Sequence, residues 1–211
     1  METASVPGIN LEVSKRSLGY SVPQRAGVRL WLPMLVMALM AFPAALGIGI
    51  VRAEEISSGG SAETIETLRH LQAGVMIIGF AAVFAAISFA IARILGQFRK
   101  GGGELQEAAG VPVKTMRMPA TAKVFIGLMM MAMMTLVATA VLHFVFAADV
   151  TGAASSLSIS AERFTVLDGV QTIGIAMYLV AITFGLATIA QAIRFQSTRI
   201  RELAEERVES Q

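Results

Sequence analysis

Polar and apolar positions fall into long blocks along this chain. Four runs carry no Asp, Glu, Lys or Arg: Leu30–Val51, Leu71–Ala92, Val124–Ala148 and Val170–Ile193, of 22, 22, 25 and 24 residues. A helix rises about 1.5 Å per residue, so roughly 20 apolar residues cross a bilayer core. The pattern therefore predicts an all-α, polytopic membrane protein with four transmembrane helices. Composition agrees: 55% of the 211 residues are hydrophobic and 15% charged, against about 25% charged in soluble domains.

Lysine and arginine set the expected orientation. Fourteen lie in the N-terminal tail, the middle loop and the C-terminal tail, whereas only Arg52, Arg69 and Arg163 lie on the other side. Both termini are thus expected in the cytoplasm. The two short loops, with seven carboxylates, are expected to face outward, as suits a bacterial inner membrane. A cleaved signal peptide ending near Val51-Arg52-Ala53 is the competing reading, but a 22-residue apolar run is long for one.

The runs repeat. GVMIIGFAAVFAAISFAIARIL (74–95) aligns without gaps to GVQTIGIAMYLVAITFGLATIA (169–190), with ten of 22 positions identical at an offset of 95. At an offset of 94, WLPMLVMALM (31–40) lies against FIGLMMMAMM (125–134). Each unit is a pair of spans, so the units share one orientation, and a bundle of two parallel two-helix repeats is expected. The segments are an N-terminal tail (1–29), a first hairpin (30–95), a linker (96–123), a second hairpin (124–193) and a helical tail (194–211). Spans two and four are expected to face each other. Gly79, Ala86 and Ala90, with Gly174, Ala181 and Gly185, provide the small residues for close helix packing.

In the linker, GGGELQEAAG is expected to release the second span before a short helical stretch, and Pro112 and Pro119 to restart the chain. Its glycines match no nucleotide-binding pattern. The tail has no glycine or proline from Leu186 onward, so span four is expected to continue as a helix. Ile193, Gln196, Ile200 and Leu203 follow an a/d spacing and offer a docking seam for a partner subunit; a solvated helix is the plainer reading.

Candidate chemistry is sparse. There is no cysteine, which excludes disulfides, thiolate nucleophiles and iron–sulfur clusters. The net charge of +2 forms no nucleic-acid stripe, and no metal site is expected. Five methionines between Met129 and Met134 point in different directions around a helix, so packing and lipid contact explain them better than copper ligation. His143 lies inside the third run and His70 begins the second. An intramembrane histidine is a functional candidate, and the pair offers ligands for haem b or a hydrogen bond to quinone. By run position the two differ in depth by roughly 9 Å. Glu66, Asp149, Asp168 and Gln171 form a polar cluster at the same end.

The expected function is a non-catalytic integral membrane subunit that binds partner proteins or a second copy in the bilayer. The alternative is an electron-transfer anchor for haem b or quinone. A small transporter ranks third.

Overall fold

The computed structural model describes residues 11–13 and 19–209, so Lys15 and Arg16 of the basic tail lie outside the described residues. Four long helices follow in order: α1 (Val22–Ser58), α2 (Ala62–Ala108), α3 (Ala120–Asp149) and α4 (Ala154–Glu209). All four are long and apolar enough to cross a membrane. The protein is accordingly an integral membrane protein by length and composition. One short antiparallel pair is the only strand structure among the described residues. In it, β1 (Leu11–Val13) runs against β2 (Lys114–Met116), with Glu12 opposite Thr115.

Local chemistry starts and stops these helices. Ser21 N–H donates to Gln24 Oε1 at the head of α1. Ser61 Oγ accepts from Thr64 N–H and caps α2. α1 ends on Gly59, whose φ of +74° lets Gly60 N–H reach back to Glu55 O at 2.8 Å. Gly110, at φ +73°, ends α2 in the same way, with Val111 N–H donating to Gln106 O. Both are left-handed glycine stops that satisfy terminal carbonyls.

The chain falls into two compact units, each drawing on all four helices. One contains 32–86 and 128–180, with both short interhelical turns. In it Phe42 of α1 packs across Gly79 of α2, and Leu136 of α3 across Gly174 of α4. Phe144 covers Gly74, and Phe84 stacks on Tyr178 with centroids 4.5 Å apart. α2 is the most enclosed helix, with half of its apolar window buried against 17% for α1.

The other unit contains the described residues within 1–31, 87–127 and 181–211. Here the glycine run departs from expectation, because α2 passes straight through Gly101–Gly103 to Ala108. Gly102 lies against the side chain of Gln196, and Gln196 Nε2 donates to Phe98 O at 2.9 Å. The missing Cβ admits an α4 side chain to the α2 backbone instead of breaking the helix. Along α4 the buried positions of this unit are Ala181, Gly185, Thr188, Ala192, Phe195 and Arg199, at alternating spacings of four and three. This buried seam of α4 lies one residue before Ile193, Gln196 and Ile200, the positions expected to offer a docking seam to a partner. Ile193 and Ile200 stay 46% and 53% exposed.

Candidate functional site: a buried histidine pair

His70 and His143 are both fully buried and meet directly, Nδ1 to Nδ1 at 2.9 Å. The depth difference read from the apolar runs is corrected by where the helices end. α2 begins at Ala62, so His70 stands eight residues inside it, about 12 Å at helical rise. His143 precedes the α3 terminus, Asp149, by six residues, about 9 Å. Helix outlasts hydrophobicity here, which brings the rings level.

The pair is one section of a longer chain of hydrogen bonds. His70 Nε2 lies 2.9 Å from Ser160 Oγ of α4. Ser160 Oγ donates to Glu66 Oε1 at 3.1 Å. Glu66 Oε1 also accepts from Arg69 Nη1 at 3.3 Å in an ion pair. Arg69 stacks its guanidinium 3.8 Å over Phe164. The Phe164 ring lies 5.4 and 5.3 Å from the two imidazoles. Phe146 closes a further side, edge-on to His70 and beneath the Arg163 guanidinium.

Donor and acceptor roles follow in sequence. An ionised carboxylate only accepts, so Ser160 gives its single hydroxyl hydrogen to Glu66 and accepts from His70 Nε2–H. A neutral His70 then has a bare Nδ1, to which His143 Nδ1–H donates. His143 Nε2 is left as a bare lone pair, and it is buried with no partner among the described residues. Every donor in the row points toward Glu66.

This geometry bears directly on the chemistry expected of the pair. Metal–imidazole bonds are about 2 Å long, so two nitrogens flanking one ion stand about 4 Å apart. Nitrogens at 2.9 Å leave no room for a haem iron between them. In this tautomer the bare His143 Nε2 is an acceptor and offers no hydrogen to a quinone carbonyl. Thr139, one turn below, gives its hydroxyl to Thr135 O rather than to His143.

Among the expected polar residues, only Glu66 joins the pair by a hydrogen-bonded route. Asp149 ion-pairs with Arg163 at 3.7 Å, beside a cavity of about 290 Å³ that is also lined by Phe146, Ser156 and Ser160. Asp168 is exposed and Gln171 half-buried. Ser160, Arg69 and Phe164 had no sequence signal: Ser160 is one of four serines within six residues, and only packing selects it. The methionines spread as expected, Met130, Met131 and Met134 being 57%, 58% and 70% exposed.

The other unit has a polar cluster of its own. Gln106 is buried and uses its whole amide. Oε1 accepts from Lys114 N–H and Arg199 Nε–H, while Nε2 donates to Gly102 O and Lys114 O. Buried Arg199 also pairs with Glu202. With the Gln106 amide fully matched, this cluster ties β2 to α2 and α4. No family model, curated protein or solved structure matches the chain.

Proposed function

We propose that the protein is a non-catalytic integral membrane subunit that binds a partner protein through its α4 tail and lipid-facing helices. The observation that carries this reading is Ile200. It is 53% exposed within a charged segment, Arg194 to Glu206, beyond the apolar run of α4. The buried seam of α4 faces its own chain one residue away, so Ile200 lies on the flank open to a partner. An apolar side chain held on a rigid helix outside lipid suits helix-to-helix docking.

The accompanying architecture is a parallel duplication in an inner membrane with both termini cytoplasmic. Equivalent contacts support it. Phe42 over Gly79 and Leu136 over Gly174 are related by the same offsets, 94 and 95, as the sequence alignment. Met37, Ala38 and Met40 match Met131, Ala132 and Met134. In both sets the alanine is buried and the methionines exposed.

Photo-crosslinking from position 200 in native membranes tests the reading. Discrete heavier adducts from positions 200 and 193, the latter abolished by Ile200→Asp with expression unchanged, are the expected result. No adduct at position 200 or at the lipid-facing position 193 would overturn it. The haem-anchor alternative predicts a reduced-minus-oxidised band in the same purified protein; our reading expects a flat spectrum.

A further inference from the structure

We propose that His143, His70, Ser160 and Glu66 form a proton-transfer chain linking the buried Nε2 of His143 to the loop-end surface. Three observations carry it. The four groups, from three helices, are joined by contacts of 2.9, 2.9 and 3.1 Å. Their donors all run in one direction, as derived above. The inner end, His143 Nε2, is a fully buried nitrogen with no partner, whereas a purely structural row would be expected to close on both ends.

The step balances as follows. A hydronium reaching His143 Nε2 gives its proton to the nitrogen's lone pair and leaves as water. His143 passes its Nδ1 proton to His70 Nδ1, His70 passes its Nε2 proton to Ser160 Oγ, and Ser160 passes its hydroxyl proton to the Glu66 carboxylate. One proton enters at the histidine and one resides on Glu66. Both rings end neutral, with the tautomers exchanged: His143 carries N–H at Nε2 and His70 at Nδ1. The reverse sequence returns the proton. Ser160 lines the cavity of about 290 Å³, so water has an approach to the outer part of the row. The charged groups around the pair are Glu66 and Arg69 on α2 with Arg163 and Asp168 on α4. Arg69 fixes the position of the Glu66 carboxylate through its 3.3 Å ion pair. This chemistry is independent of whether the tail binds a partner.

The test is ¹⁵N NMR of histidine-labelled full-length protein in lipid nanodiscs, with ring-proton exchange in D₂O. Expected are His143 protonated at Nδ1, His70 protonated at Nε2, and a scalar coupling across the Nδ1–Nδ1 contact. Ser160→Ala is expected to slow exchange of the His143 ring proton by at least about tenfold, because exchange then needs local opening. Glu66→Gln removes the terminal proton acceptor with little change of shape, and is expected to slow it similarly. Should Ser160→Ala fail to fold, Glu66→Gln alone decides. Resting tautomers opposite to these, or unchanged exchange in a folded variant, would overturn the proposal.

Discussion

His143 is the residue at which packing and chemistry meet. Truncation to alanine removes a buried ring and leaves His70 Nδ1 without its donor. Large-to-small changes in cores cost about 2–5 kcal/mol. Single hydrogen bonds between membrane helices average only about 0.6 kcal/mol, because the separated helices find other partners. The cavity therefore dominates at His143. Thr188→Val is the contrast: it keeps volume and loses the hydroxyl's 2.9 Å bond to Thr121. Steric-trap or SDS unfolding is expected to rank His143→Ala as several-fold more costly than Thr188→Val. Equal costs would mean that the hydrogen bond, rather than the ring, carries the stability. Tyr178 makes a related point, since its fully buried phenol stacks on Phe84 while its hydroxyl has no partner among the described residues.

Glycines rank by what a methyl group would meet when one helix packs on another. At Gly27 a Cβ would lie 2.6 Å from Phe89 O and 2.9 Å from Arg93 N, both backbone atoms of α2. At Gly79 it would meet the Phe42 ring at 3.0 Å, and at Gly47 nothing within 4 Å. Backbone yields least, a ring can shift, and open space costs nothing. Alanine also favours helix by about 1 kcal/mol over glycine. Thermal unfolding is thus expected to order the variants Gly27→Ala as strongly destabilised, Gly79→Ala as mildly so, and Gly47→Ala as neutral or stabilised. A destabilised Gly47→Ala would reveal a surface covered in the membrane. On α4 the helix's own buried seam, at Ala192, Phe195 and Arg199, was not legible in the sequence. Ala192 and Arg199 are poorer hydrophobic markers than Ile193 and Ile200, yet they are the buried ones, and Arg199 finds its acceptor in Gln106 of α2.

At the scale of the whole molecule, orientation is open to direct measurement because the chain is cysteine-free. Single cysteines at Ser57 and Ser155, at the helix ends beside the short turns, are expected to react with an impermeant maleimide added to intact cells. One at Ser197 is expected to react only after permeabilisation. The opposite pattern would reverse the assignment drawn from lysine and arginine. The amino-acid sequence by itself determined that four helices would form and that each could span a bilayer. Hydrophobicity and length act locally and can be read one segment at a time. It also marked both histidines as candidates, since a polar ring in an apolar run is visible without a fold. Only tertiary structure decided what those rings do. The contact of His70 with His143 joins residues 73 positions apart, and that of His70 with Ser160 joins residues 90 apart. Such pairings depend on where helices end and how they rotate about their axes, which are properties of packing that no single run encodes.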